Sequence, residues 1–510
     1  MRRLGLVDIG SNTIRLVIFE YSKETGLQEL QNIKTPARLY QYLSKDKEMS
    51  ARGIEVLCET LNSFQKVAEK FSVHALYPVA TAAVRQAVNI EEIILKVKDR
   101  TDIDMRIISE KEEAFFGFYA VINTLDYEDG VTVDIGGGST EVTFFEDKEL
   151  KFSHSFPFGV VTLQNMFFEG KPHNDKEAIE DAAKFIKQQF RSLRWLEKRR
   201  VPIIAIGGSA RNIARIHQSI TGYPIAGVHG YAMREEDLEL VFKNLTNASQ
   251  DDLEDLDGLS RDRQDIIVPS CVLFNTLFDE VDATEFIFSR KGLREGVIMN
   301  ILEDEFVLPF DKDNVFKDSL KNLASDYNIN QEEANQRVMI AETLYYELDK
   351  FELIKGNKRD KAFLRHAAYL YYLGSYIDSD ASSQHTYYIL SNSSLNGISH
   401  KNRVKLALLA SYKNKSLLKF YEDETKWFNS EEREVIHMLG SILKFSYALN
   451  ISNTNIVQGL YFKKKDDHYD LIIEYIGDAI AEEYQAERQK KHIEKLIKSK
   501  LNLIFTESLQ

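Results

Sequence analysis

The strongest constraint in this chain is a stretch that occurs twice. Residues 132–146 read TVDIGGGSTEVTFFE, and residues 6–20 read LVDIGSNTIRLVIFE. Laid in one register, Asp134 falls on Asp8, Ile135 on Ile9, Gly136 on Gly10, Phe145 on Phe19 and Glu146 on Glu20. Each copy alternates up to an acid, turns through glycine and leaves in a second alternating run, the pattern of strand, tight turn and strand. Glycines 136, 137 and 138 strip every Cβ from the second turn, so its backbone N–H groups can close on an anion. Asp134 ends the incoming strand and Glu141 starts the outgoing one. A hairpin brings such ends together, which suits a hard divalent cation beside a phosphate. A glycine-rich hairpin with solvated acids would account for one such turn, but not for its echo in register. Two hairpins with the same acid–glycine turn imply a duplicated domain whose turns face each other across a cleft. Arg15 stands where the second copy has Glu141. The first turn then offers a cation to phosphate, and the second a carboxylate to metal.

The paired loops DIGSNTIRL and DIGGGSTE resemble the exopolyphosphatase and guanosine pentaphosphate phosphohydrolase family. That family belongs to the superfamily of acetate and sugar kinases, heat-shock chaperones and actin. The resemblance is strong over residues 1–305 and weaker to the C-terminus. It implies an α/β protein with a duplicated ribonuclease H-like (actin-like ATPase) core, domain I over residues 1–124 and domain II over 125–305. An all-α, degenerate His-Asp phosphohydrolase-like domain (306–452) and a small α+β domain (453–510) complete the chain.

The same resemblance implies an exopolyphosphatase, with roles for particular residues. Asp8, Gly10, Ser11, Asn12, Thr13 and Arg15, then Gly136, Gly137, Gly138 and Ser139, then Gly207, Gly208 and Ser209, would bind the end phosphates. Asp134 and Glu141 would hold Mg²⁺ or Mn²⁺. Arg85, in ATAAVRQAVN, would clamp the terminal phosphate, since a guanidinium fork matches paired oxygens. In ISEKEEAFFGF, Glu113 stands directly before Ala114 and would activate water; its neighbour Glu112 is the alternative base. Glu110 stands where many relatives have glycine. The polyphosphate end is the expected substrate, with guanosine pentaphosphate as the alternative. A kinase or ATPase of the superfamily and a non-catalytic polyphosphate or alarmone sensor are the remaining readings. Family analogy adds a homodimer.

Composition narrows the setting. The 510 residues are 44% hydrophobic and 28% charged, as in a soluble globular protein of several domains. Cys58 and Cys271 stand far apart without metal spacing, which implies no disulfide framework and fits a cytoplasmic location. No signal peptide or membrane-spanning run is expected. The formal net charge is −14, so a polyanion site must be a local basic patch opposing the mean field; the global charge argues against nonspecific nucleic-acid binding, not against a phosphate pocket.

Periodicity supplies the remaining elements. Helical spacing runs over 50–71, 91–101 and 178–194, and a helix opens at Glu112 and Glu113. Short strands are expected at 75–80, 105–108, 201–206 and 284–289. Strand 201–206, Gly207, Gly208 and an N-cap Ser209 lead into a helix, an anion-binding arrangement. Arg294 and Glu295 read as a structural tie between the core domains, and residues 198–200 as a solvated basic helix end. Helices are expected at 316–327, 331–351, 361–373, 402–412 and 431–448, a β-hairpin from about 455, a charged helix at 478–491 and a strand at 501–505. In LRHAAYLYYLG, Tyr371 and Tyr372 occupy the place of a His-Asp metal pair. His366 and His385 therefore read as packed residues and the domain as non-catalytic.

Overall fold

The computed structural model describes residues 2–22, 26–306 and 310–508. They form two compact units, Met1–Tyr223 with Gly227–Asp318, and Pro224–Ala226 with Ser319–Gln510.

The first unit holds two sheets of matching topology. Strands β1 (Arg2–Ile9), β2 (Ile14–Ser22), β3 (Gly26–Thr35), β4 (Ala75–Ala80) and β5 (Arg106–Ile107) lie in the order β3-β2-β1-β4-β5. The second sheet contains β6 (Gly130–Ile135), β7 (Thr140–Glu146), β8 (Glu149–Phe156), β9 (Ile203–Ile206), β10 (Tyr231–Met233) and β11 (Phe286–Ser289), in the order β10-β11-β9-β6-β7-β8. Read from β8, it repeats the first: two antiparallel pairings, then two parallel ones, with β10 added at the far edge. The equivalence extends to single residues. Asp8 pairs with Arg15 across β1 and β2, and Asp134 with Glu141 across β6 and β7. The core is a duplicated ribonuclease H-like fold.

Helices α1 (Ala51–Lys70), α2 (Ala82–Arg85), α3 (Ile90–Thr101) and α4 (Glu110–Ile122) belong to the first half of this unit. The second half adds α5 (Val160–Leu163), α6 (Lys176–Arg191), α7 (Gly207–Thr221), α8 (Glu235–Asn247), α9 (Gln250–Glu254), α10 (Ile267–Val281) and α11 (Leu293–Phe306). Ser50 caps α1 by accepting from the Gly53 N–H, and Ile54, Leu57, Leu61 and Phe64 bury one stripe against the first sheet. Helix α4 is apolar on more than one face because it lies between the sheets. Phe116 joins the cluster of Leu6, Val17, Ile298 and Leu302, while Phe118 and Val121 join Phe145, Ile204 and Ile206. Helix α11 crosses it closely at Gly296, where a Cβ would stand 2.0 Å from the Phe116 carbonyl oxygen. This packing fixes the N-terminus of α4, and so Glu113, between the two halves.

The second unit is mainly helical, with Gln331–Lys350, Lys358–Tyr369, Ser382–Asn392, His400–Ala410, Lys415–Thr425 and Ser430–Ala448. Tyr371 and Tyr372 stack at 4.3 Å between ring centroids, and both hydroxyls donate to the Tyr412 carbonyl, at 2.5 and 3.3 Å. The tyrosines thus fill their position with apolar surface and direct their polar tips to one backbone oxygen. Burial, aided by Arg365, pushes the His366 imidazole down to about 4, so it is neutral. A small sheet closes the unit: β12 (Val457–Lys464) and β13 (His468–Tyr475) form the expected hairpin, and β14 (Lys500–Glu507) adds parallel to β13. The charged helix expected over 478–491 is two helices, Ile480–Gln489 and Lys491–Ile497. Among the described residues no helix is long and apolar enough to cross a membrane.

Candidate active site

Both glycine turns close in the same way. The Gly10 N–H donates to the Thr13 carbonyl at 3.1 Å, and the Gly136 N–H to the Ser139 carbonyl at 2.9 Å. Other turn carbonyls are tied back from behind. Those of Asn12 and Ser11 accept from the Arg38 and Tyr40 N–H groups at 2.8 and 3.1 Å. Those of Gly136 and Gly137 accept from Val160 and Val161, each at 3.0 Å. Gly159 permits this approach, since a Cβ there would lie 2.3 Å from the Gly136 oxygen. The N–H groups of Ser11, Asn12 and Thr13, and of Gly137, Gly138 and Ser139, make no hydrogen bond among the described residues. Such runs of N–H groups have the form of anion-accepting turns.

The third glycine turn differs from expectation at one residue. Helix α7 begins at Gly207 with Ile206 as N-cap, so Ser209 is not the cap but sits buried inside the first turn. Gly207 takes φ +94°, and a Cβ there would meet Asp134 Oδ1 at 3.0 Å. The role open to Ser209 is taken by contact with Arg263, whose Nη1 donates to the hydroxyl at 3.1 Å. The Arg263 guanidinium covers Gly208 so closely that a Cβ would lie 2.4 Å from Nη2.

The adjacent glutamates separate cleanly. Ser109 caps α4 and accepts from the Glu112 N–H at 3.2 Å. Glu112 Oε2 accepts in return from the Ser109 N–H at 2.7 Å and hydroxyl at 2.8 Å, and Oε1 accepts from Arg106 at 2.5 Å. Glu112 is thus committed to a capping box facing outward. Glu113 points inward, 16% exposed, and accepts from Arg85 Nη1 at 2.8 Å. The same Nη1 donates to the Ile108 carbonyl at 3.0 Å. Arg85 Nε and Nη2 are buried without a hydrogen-bond acceptor among the described residues; Glu110 Oε1 stands 3.9 Å from Nη2. A buried guanidinium with two idle donors is unfavourable unless a ligand supplies acceptor oxygens.

Four carboxylates converge here. Burial raises the pKa of Asp8, against the pull of Arg294 and Arg15. Burial raises Asp134 to about 6, with Arg294 opposing and Asp8 adding to the rise. Glu113 is raised by burial, opposed by Arg85 and reinforced by Asp134 and Asp8. Glu141, 4% exposed, is raised by burial and by Glu113 and Asp134, although Ser155 donates to it at 2.9 Å. Asp8, Glu113, Asp134 and Glu141 thus stand close enough to act on one another's ionisation. Among the described residues no three His, Cys, Asp or Glu side chains stand together as a metal site. A cation held by Asp134 and Glu141 would therefore complete its shell from phosphate or water.

Sequence reading understated two arginines. Glu295 is structural, accepting from the Gly292 N–H at 3.1 Å and pairing with Lys291 at 3.6 Å. Its neighbour Arg294 instead exerts the largest favourable charge effect on both Asp8 and Asp134. Arg263 acts on Asp134 as well. The sequence marks Arg263 only as the basic residue of GLSRDRQDIIVPS, a segment that resembles the family's, and Arg294 only as a structural tie.

The family model "Ppx/GppA phosphatase family" matches residues 17–305, and "Ppx/GppA phosphatase, domain III" matches 315–491. A similar curated protein is the bifunctional 3-dehydroquinate synthase/phosphatase of Fusobacterium nucleatum subsp. nucleatum, 26% identical over 314 residues, 59% of this chain and 46% of that protein. The chain thus spans about half the length of this curated relative. Solved structures sharing the fold include the Aquifex aeolicus Ppx/GppA family member, at TM-score 0.54 and 24% identity over 60% of this chain and 98% of that one. An exopolyphosphatase from Cytophaga hutchinsonii aligns at TM-score 0.53 and 24% identity over 59% and 98%. With more than half of its length matched by the family, the chain belongs to the Ppx/GppA phosphatases.

Proposed function

We propose that the chain hydrolyses the terminal phosphoanhydride of inorganic polyphosphate and releases orthophosphate. The observation that carries this reading is the buried Arg85–Glu113 pair, at 2.8 Å, in which Arg85 keeps two donors free. Free N–H groups of the 10–13 and 136–139 turns, and the first turn of α7, would hold the end phosphates. The idle Nε and Nη2 of Arg85 would fork onto the terminal phosphoryl oxygens. Glu113 would orient a water molecule and accept its proton. The water oxygen bonds to the terminal phosphorus, the bridging P–O bond breaks, and the bridging oxygen keeps its electron pair on the shortened chain. Burial, by raising Glu113, keeps it basic enough to take that proton. Asp134 and Glu141, paired across β6 and β7 and both raised by burial, fit a divalent cation. When bound, Mg²⁺ or Mn²⁺ would neutralise phosphoryl oxygens and stabilise developing charge.

Guanosine pentaphosphate presents the same terminal anhydride. Phosphate release from long-chain polyphosphate and from guanosine pentaphosphate, measured side by side with and without Mg²⁺, tests the proposal. Release from polyphosphate that depends on Mg²⁺ supports it; release from neither substrate rejects it.

A further inference from the structure

Each half of the core extends its acid–glycine hairpin by a third strand, and one row of side chains crosses all three. In the first half, Asp8 pairs with Arg15 across β1 and β2, and Arg15 with Lys34 across β2 and β3. In the second, Asp134 pairs with Glu141 across β6 and β7, and Glu141 with Ser155 across β7 and β8. Residues paired directly across antiparallel strands share a face of the sheet, with Cβ atoms about 5 Å apart. The first row is an acid and two cations. The second is two acids and a hydroxyl.

The two rows are supported differently. The cations of the first find partners in the protein, Arg15 in Asn32 at 2.9 Å and Lys34 in Asp262 at 3.3 Å. In the second, Ser155 Oγ donates to Glu141 Oε1 at 2.9 Å. Glu141 makes no ion pair among the described residues, so this contact holds the carboxylate without offsetting its charge. Ser155 is firmly placed for that task. It precedes Phe156, 2% exposed, whose ring packs against Phe158 and Phe190 at 5.3 and 5.5 Å between centroids. A hydroxyl on a strand anchored in this way keeps its aim better than one on a loop. Glutamate has several rotatable bonds, and a carboxylate that ligates a metal needs a donor of this kind to fix its orientation.

We propose that Ser155 is a positioning residue for the divalent cation: its hydroxyl holds Glu141 in the orientation that serves the ion beside Asp134. The inference rests on the reading of Asp134 and Glu141 as the cation's ligands. Ser155 acts through Glu141 and has no part in the proton transfer assigned to Glu113. In the first half Lys34 stands at the place of Ser155, so only the second row is built for a cation.

Calorimetric titration of the metal-free protein with Mn²⁺ tests this without recourse to activity. Ser155→Ala removes the hydroxyl. Ser155→Thr keeps it, and Ser155→Val matches Ser155→Thr in shape but lacks it. Loss of an outer hydrogen-bond partner weakens metal binding by about 10–100-fold, so Ser155→Ala and Ser155→Val should bind Mn²⁺ at least about tenfold more weakly than wild type. Ser155→Thr should bind it nearly as wild type does. In phosphate release from long-chain polyphosphate, the Mg²⁺ concentration that gives half the maximal rate should rise in step, while kcat at saturating Mg²⁺ and KM for polyphosphate hold. A Tm near wild type in the metal-free state shows that the variants fold. Equal Mn²⁺ affinity in wild type and Ser155→Ala overturns the inference. So does Ser155→Thr binding as weakly as Ser155→Val, since shape and not the hydroxyl would then matter. Should wild type bind no Mn²⁺, the cation reading of Asp134 and Glu141 falls and takes the inference with it. Should Mn²⁺ binding depend on the hydroxyl while polyphosphate releases no phosphate, the hydrolase reading fails alone and the role of Ser155 stands.

Discussion

Arg85 donates to Glu113 at 2.8 Å from a nitrogen that also serves the Ile108 carbonyl, which leaves its other two guanidinium nitrogens buried without a hydrogen-bond acceptor among the described residues. Arg85 thus has one nitrogen for positioning Glu113 and two for a ligand. Arg85→Lys keeps the charge but loses the fork. Steady-state phosphate release should fall by about 10²-fold, since misplacing a reacting group by an ångström costs that much. A variant within twofold of wild type would show that the fork is not used.

Glu112 and Glu113 are neighbours with opposite fates. Glu112→Ala removes the reciprocal cap on Ser109 and should lower stability by about 1 kcal/mol while leaving kcat near wild type. A denaturant melt and a rate measurement on one preparation decide this. A collapse of kcat without loss of stability would assign the base to Glu112.

The stretch Ser109-x-x-Glu112 was readable as a capping box in the chain itself, and that signal alone consigns Glu112 to the helix end. The duplicated core was legible for a similar reason: strand alternation, an acid and a glycine turn are all local, and they recur in register. Arg294 and Arg263 were not legible as site residues. Each reaches Asp134 from more than a hundred residues away in sequence, through packing that no spacing records. The helix Ser382–Asn392 escaped because its serines and Asn392 blur the apolar stripe, and Lys415–Thr425 because it is short and rich in charge. Ser209 misled for the opposite reason: it is a good cap residue, but Gly207 starts the helix before it.

Gly159 supports the second turn from behind. Gly159→Ala would drive a methyl group into the Gly136 and Gly137 backbone, 2.3 Å from the nearest oxygen. Strain of about 1–3 kcal/mol is expected, and the displaced turn should raise KM for polyphosphate at temperatures well below Tm, where the variant is still folded. Wild-type KM in this variant would show that the turn does not bind substrate.

The acid cluster gives a signed pH effect in protein freed of metal by chelator. Asp134 titrates at about 6 in the folded state, and Glu113 and Glu141 are raised too. Unfolded carboxyl groups titrate near about 4. Between those values the folded chain holds protons that the unfolded chain has released, so stability falls as pH rises through the window. Asp134→Asn removes one contributor. Its drop in Tm from about pH 5 to about pH 8 should be smaller than that of wild type. An equal drop would mean that Asp134 ionises freely.

Glu113 is the group proposed to take the proton from water, and single-turnover phosphate release from long-chain polyphosphate by Glu113→Gln measures that role most directly. The substitution keeps size and a hydrogen-bonding oxygen but cannot accept the proton. With Mg²⁺ present, the rate should fall by about 10²–10⁴-fold while polyphosphate binding, read by calorimetry, stays near wild type. A variant that releases phosphate at nearly the native rate would contradict Glu113 as the base.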